Sequence, residues 1–176
     1  MSPALTERHS RRSAPLVADA MLGRLARWLR ALGRDVVFDT DLQDVDLART
    51  ARDQGRLLLT RDRRLCTERG SPDWCRLVEA RRPRAQLREL DRPLDLFAAG
   101  WRNALFTRCM VCNTPLEDVD ADEARHDLPP EVSGDPRVRS VGFRRCPACR
   151  RVYWEGSHTR RMRRWLDAVA AEVSRP

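Results

Sequence analysis

The stretch "RLLLTRD", Arg56 to Asp62, sets three consecutive leucines against a hydroxyl, a guanidinium and a carboxylate. A strand with one wet face alternates apolar and polar side chains. A strand buried on both faces does not, and such strands belong to parallel sheets covered by helices. Leu57 to Leu59 therefore predict a central strand, and Thr60, Arg61 and Asp62 fall at its carboxyl end.

The flanking sequence supports that expectation. "LVAD" (16 to 19) and "DVVFD" (35 to 39) are short strand candidates. Between them "MLGRLARWLRAL" places Leu22, Leu25, Leu29 and Leu32 on one helical face, with Gly33 as the stop. "DVDLARTARDQG" (44 to 55) predicts a helix with a carboxylate start and a glycine stop. "RDRRLCTERG" predicts a short helix ending at Gly70, and "WCRLVEA" (74 to 80) a fourth strand. "RAQLRELDRPLDLF" reads as a helix interrupted at Pro93. Strands alternating with helices through short loops imply right-handed crossovers and a mostly parallel sheet, so the fold class is α/β. After Phe106 turn residues, acidic patches and cysteine pairs take over, and "DLPPEVSGDPR" (127 to 137) is too rich in Pro and Gly for a regular element. "HTRRMRRWLDAVAAEV" predicts a closing helix through Met162, Trp165, Leu166 and Val169. The division expected is an arm over 1–15, an α/β domain over 16–106, and a cysteine-bearing subdomain with the closing helix over 107–176.

At 176 residues the chain suits one domain with a small appendage. Its formal charge of +8 is the excess of 34 arginines, with no lysine, over 26 acidic residues, and it is spread along the chain. That charge suits a polyanion such as nucleic acid, although the uniform arginine usage also reads as a bias of composition. No run approaches the roughly 18 apolar residues of a membrane span, and "MSPALTERHSRRSAP" lacks a secretory apolar stretch, so the expected location is cytoplasmic.

"CMVC" (Cys109, Cys112) and "CPAC" (Cys146, Cys149) are the most specific signal. Two residues between cysteines let both thiolates of a tight turn face one tetrahedral zinc at about 2.3 Å, and a second such turn closes a four-sulfur site. The 33 residues between the pairs are tolerable because loop-closure entropy grows slowly. Structural zinc is favoured over disulfides or an iron–sulfur cluster. Cys66 and Cys75, in the α/β part, read as buried thiols in preference to a second metal site.

The carboxyl ends of parallel strands open on one edge, where ligands bind. Asp19, Asp39 and Asp62 end or follow three strands, and Asp41, Asp44 and Asp46 fall in the turn and helix start after the second. Carboxylates held close repel one another unless a cation compensates, and oxygen-only ligands suit Mg²⁺ or Mn²⁺. Asp is also a preferred N-cap, and Asp19, Asp44 and Asp62 each precede a helix, so spacing leaves capping and ligation both open.

"VADAMLGRLARWLRALGRDVVFDTD", "ARDQGRLLLTRDRRL", the paired cysteines and "VYWEGSH" together resemble the Mut-seven C-terminal ribonuclease domain, a PIN-like nuclease fold carrying a zinc ribbon. The resemblance runs from about Leu16 to Met162. It implies a metal-dependent ribonuclease with Asp19, Asp44 and Asp62 as the catalytic acids holding Mg²⁺ or Mn²⁺, and zinc on Cys109, Cys112, Cys146 and Cys149. In the acid-rich "DTDLQDVD", Asp41 and Asp46 are the alternatives to Asp44. Thr60 is expected to hydrogen-bond a ligand carboxylate or a phosphate, and Arg61 to reach a salt bridge or substrate. Arg24 and Arg27 are candidate phosphate contacts, and Tyr153, Trp154 and His158 candidates for RNA. The other reading of the last three is that the aromatics pack the ribbon onto the α/β part and His158 caps the final helix. The rival functions are a non-catalytic RNA- or protein-binding module whose acids only cap helices, and an aspartate phosphotransfer domain, which the absence of lysine disfavours.

Overall fold

The computed structural model describes residues 14–68, 73–128, 132 and 142–174. The expected arm, except for Ala14 and Pro15, lies outside the described residues, as do the Gly70 helix stop and most of 127–137.

β1 (Leu16–Ala18), β2 (Val36–Phe38), β3 (Leu57–Thr60) and β4 (Cys75–Leu77) form one parallel sheet in the order β2-β1-β3-β4. Leu57 to Leu59 do form an interior strand. Leu59 joins Leu16, Ala18 and Val36 in the larger core, whereas Leu58 joins Val17 and Cys75 in a second cluster on the opposite face. The unbroken leucine run thus serves two cores at once.

α1 (Gly23–Ala31), α4 (Pro83–Leu94) and α6 (Ser157–Val173) cover the first face. They contribute Leu25, Leu29, Leu87, Leu90, Met162, Leu166 and Val169 to the larger core. α2 (Asp44–Asp53) and α3 (Arg63–Glu68) cover the second through Leu47, Ala51 and Leu65. The closing helix is therefore part of the α/β core: Trp165 stacks on Trp28 of α1 with ring centroids 4.0 Å apart. α4 runs one residue past Pro93 before Asp95, at φ 51, ends it.

Cys66 and Cys75 are not free thiols. A disulfide joins them, tying α3 to β4 across a Cα separation of 5.5 Å, within the range such bridges span. The packing of α3 beside β4 brings the two together, and their separation of nine residues carried no hint of that.

A second, antiparallel sheet is built from β5 (Glu117–Val119), β6 (Phe143–Arg145) and β7 (Val152–Trp154), with α5 (Ala121–Arg125) after β5. It carries the cysteine pairs and is fastened to the α/β part by one buried and several half-buried polar groups. Arg30 of α1, 4% exposed, donates from Nε and Nη2 to the Val36 carbonyl and from Nη1 to the carbonyls of Met110 and Val111. Asn113 accepts the Val36 N–H and donates to Asp35. Burial alone would raise the Asp35 pKa; Arg56, Asn113 and Arg108 overcome that and hold it below the ordinary carboxylate value.

Gly33 ends α1 at φ 79, and a Cβ there would lie 2.3 Å from the Ala104 carbonyl oxygen. Left-handed backbone costs a side-chain-bearing residue about 1–2 kcal/mol, and the clash is with backbone that cannot turn aside. Gly33→Ala is expected to lower stability by about 2 kcal/mol or more. That corresponds to a melting temperature roughly 4–8 °C lower, measurable by thermal denaturation followed by circular dichroism.

Candidate active site and four-cysteine metal centre

In the order β2-β1-β3-β4, the chain leaves β1 toward one side and returns past it to the other. The switch point therefore lies at the carboxyl ends of β1 and β3, where open parallel sheets bind ligands. Asp19 follows β1 there, and its N–H donates to the Leu59 carbonyl. Asp19 is 8% exposed, with Oδ1 accepting the Met21 N–H and Oδ2 accepting the Thr60 hydroxyl at 2.6 Å. The same hydroxyl oxygen accepts the Asp62 N–H at 2.9 Å, and Asp62 Oδ1 accepts the Arg64 N–H. One buried threonine thus couples the acid after β1 to the acid after β3. Thr60 is fully buried, and of its two expected partners, a carboxylate or a phosphate, its hydroxyl meets a carboxylate, that of Asp19.

Asp44 opens α2 on the same edge and is exposed. Among its neighbours, Asp46 pairs with Arg49 and Asp39 accepts the Asp41 N–H. No hydrogen bond or ion pair engages the Asp44 carboxylate among the described residues. Arg61 forms no salt bridge among them either, and its Nε is buried without a partner.

The cysteines form two turns of the same design. Cys109 N–H donates to the Thr114 carbonyl and Asn113 N–H to the Cys109 carbonyl; Cys146 N–H donates to Arg151 and Arg150 N–H to Cys146. The second cysteine of each pair donates its N–H to the first sulfur, at 3.5 and 3.4 Å. The residue after each pair, Asn113 (φ 72) or Arg150 (φ 62), is left-handed.

Across the turns, Cys109 Sγ lies 3.5 Å from Cys149 Sγ and Cys112 Sγ 3.4 Å from Cys146 Sγ, with all four sulfurs within 4.8 Å of one another. A tetrahedron with metal–sulfur bonds of about 2.3 Å has edges of about 3.8 Å, so the donor set fits zinc. Its electrostatics agree. Burial raises the Cys112 thiol, but hydrogen bonds from Thr114 and neighbouring cysteines bring it down to about 6, while burial pushes Cys149 up to about 12. Four sulfurs this close cannot all be thiolates unless a cation lies among them. This is the one group of three or more possible metal-ligand side chains drawn so close among the described residues; Asp19, Asp44 and Asp62 are not. The Tyr153 hydroxyl lies 3.1 Å from Cys109 Sγ and accepts the Met110 N–H, so its polar end supports the centre.

Arg24, Arg27, Tyr153, Trp154 and His158 line one cleft of about 970 Å³ between α1, the first cysteine turn and the β7–α6 junction. Gly23 and Phe38 form the end nearest the acids, and a Cβ on Gly23 would lie 2.7 Å from the Phe38 ring. His158 is exposed and does not cap α6, whose N-cap is Gly156 with no side-chain cap bond. Trp28, Met110, Val111 and Arg151 also line the cleft and were missed. For Trp28 a signal existed: it lies four residues after Arg24, so the two share a helical face.

A parallel α/β sheet with acids at its switch point and a four-cysteine antiparallel appendage defines the class. The Mut7-C RNAse domain model matches residues 14–166, and the chain belongs to that family, which makes it a nuclease-type domain. No curated protein and no solved structure matches it. No helix among the described residues is long and apolar enough to cross a membrane.

Proposed function

We propose that the chain is a metal-dependent ribonuclease that hydrolyses RNA phosphodiester bonds, with Asp19, Asp44 and Asp62 as the catalytic acids and ligands of Mg²⁺ or Mn²⁺. The observation that carries this is the Thr60 hydroxyl shared between Asp19 and Asp62 at the switch point. Capping uses only Oδ1 of Asp19, on a turn of three residues, and does not require a second buried bond to the neighbouring strand. Asp44 is preferred over Asp46 because Asp46 is held by Arg49. A divalent cation, when bound, supplies a water of lowered pKa and neutralises charge on the phosphodiester. Asp19 and Asp62 hold their carboxylates in place, exposed Asp44 turns in to complete the set, and Arg24 and Arg27 hold phosphates beside them. Zinc on the four cysteines is structural: four sulfur ligands leave no position for water.

The test is cleavage of a labelled single-stranded RNA as Mg²⁺ or Mn²⁺ is titrated into protein freed of both. Activity that rises and saturates with metal is expected. Equal cleavage without divalent ion would overturn the metal-dependent reading, and RNA binding with no cleavage at any metal concentration would favour the non-catalytic module.

A further inference from the structure

The cleft has a composition that phosphate contacts alone do not explain. Its floor is aromatic, from Trp28, Phe38 and Trp154, and one wall is the Met110–Val111 turn between the first two cysteines. Cations stand at its rim: Arg24 and Arg27 are exposed on α1, with Arg151 and His158 opposite. Among the described residues its one carboxylate, Asp127, is already paired with Arg150 at 3.0 Å and Arg145 at 3.8 Å. The lining is therefore apolar in depth and positive at the mouth.

Three large hydrophobic side chains stand well out of the core among the described residues: Met21 (62% exposed), Val45 (54%) and Val111 (46%). Single exposed hydrophobics are ordinary. These three, however, fall two residues after Asp19, one residue after Asp44, and in the wall of the cleft. Of the three, Val111 is the one that lines the cleft.

The walls are also fixed in advance. Trp28 is clamped by its stack on Trp165, and Arg30 holds the carbonyls of Met110 and Val111, at 3.3 and 2.6 Å, leaving their side chains to the cleft. A preformed pocket of this size, within the range of about 300–1,000 Å³ typical of ligand sites, needs little reorganisation to bind.

We propose that this cleft is a base-binding subsite: it takes an unpaired nucleobase of the RNA between the first cysteine turn and the Trp154 strand, with the adjoining phosphates on Arg24 and Arg27. The identity of the ligand rests on the ribonuclease reading above. A base can enter such a cleft only when it is free of its partner, because the faces and edges of paired bases are covered by stacking and pairing. The cysteine centre then gains a role in recognition, since its first turn is one jaw of the subsite.

The experiment is fluorescence anisotropy of wild-type protein without added divalent ion, using a labelled single-stranded RNA of about a dozen nucleotides, checked intact on a gel, and the same strand annealed to its complement. Single-stranded RNA is expected to bind at least about tenfold more tightly than duplex. Trp154→Ala should weaken single-strand binding by roughly five- to hundredfold, the usual worth of one stacked base. Val111→Ser, at a residue exposed enough to leave folding intact, should weaken it by about threefold or more. Equal affinity for duplex, or unchanged single-strand affinity in folded Val111→Ser, would overturn the subsite. Its failure is distinguishable from that of the ribonuclease reading: selective binding without cleavage at any metal concentration removes the enzyme and keeps the subsite, and cleavage without selective binding does the reverse.

Discussion

Asp19→Asn is expected to lower metal-dependent RNA cleavage by at least about a hundredfold while leaving the melting temperature within about 4 °C of wild type. The first expectation follows from charge. The substitution removes one negative ligand from a site whose purpose is to hold a cation, and a cation contributes several kcal/mol of stabilisation to phosphoryl chemistry. The second follows from local geometry. Asn keeps an oxygen for the Met21 N–H, and its amide can donate to the Thr60 oxygen in place of accepting from it. One hydrogen bond is reversed and the Thr60 hydroxyl hydrogen must turn from its former acceptor, a cost at the low end of about 1–3 kcal/mol. Cleavage rates at saturating Mn²⁺, read beside thermal melts, check both. Wild-type activity in a folded Asp19→Asn protein would return the acids to helix capping. Thr60→Val should cost about ten- to hundredfold, because it leaves the ligands in place and removes what orients them. Asp44→Asn should behave as Asp19→Asn and Asp46→Asn nearly as wild type, since Asp46 is engaged by Arg49.

How much of this was legible in the sequence depended on whether one residue or a pair carried the information. The unalternating run Leu57–Leu59 and the stripe Leu22, Leu25, Leu29 and Leu32 each specify burial by local spacing, and all but half-buried Leu57 are buried. The cysteine turns were legible because a two-residue spacer is a local constraint. Long-range pairs left no such mark. Nothing near Arg30 distinguishes it from the other arginines, yet it joins α1 to β2 and the first cysteine turn. Tyr153 was read as a base-stacking candidate from its ring, and nothing in the sequence announced that its hydroxyl reaches Cys109 and Met110. The Cys66–Cys75 disulfide escaped for the same reason, as a product of how α3 packs beside β4. α6 was legible as a helix, but its burial against α1 and α4 was not, because an amphipathic face does not name its partner.

Cys146→Ser is expected to reduce bound zinc from about one per chain to well below half and to lower the melting temperature by more than about 10 °C. Cys146 is fully buried, and its sulfur accepts the Cys149 N–H while lying 3.4 Å from Cys112 Sγ. Zinc binding to closed four-ligand sites is worth about 10–16 kcal/mol in small zinc-finger peptides, comparable with the whole stability of a domain, about 5–15 kcal/mol. The consequence extends beyond the ribbon because of the shared polar contacts. If the first cysteine turn comes loose, Arg30 loses the Met110 and Val111 carbonyls, and Val36 N–H loses Asn113. Arg30 keeps only the Val36 carbonyl, and losing the other two acceptors costs a buried cation about 1.5–3 kcal/mol per bond, inside the same helix that carries Arg24 and Arg27. At about 2–4 °C per kcal/mol, that alone lowers the melting temperature by roughly 6–24 °C. Metal analysis of protein purified without added zinc, together with calorimetry of wild type and variant, checks the expectation. A zinc-free wild type, or a variant that melts where wild type does, would show that the four sulfurs do not hold the fold together. If instead both expectations hold, RNA affinity in Cys146→Ser should fall even at temperatures where α1 remains helical, because one jaw of the cleft is built from the cysteine turn.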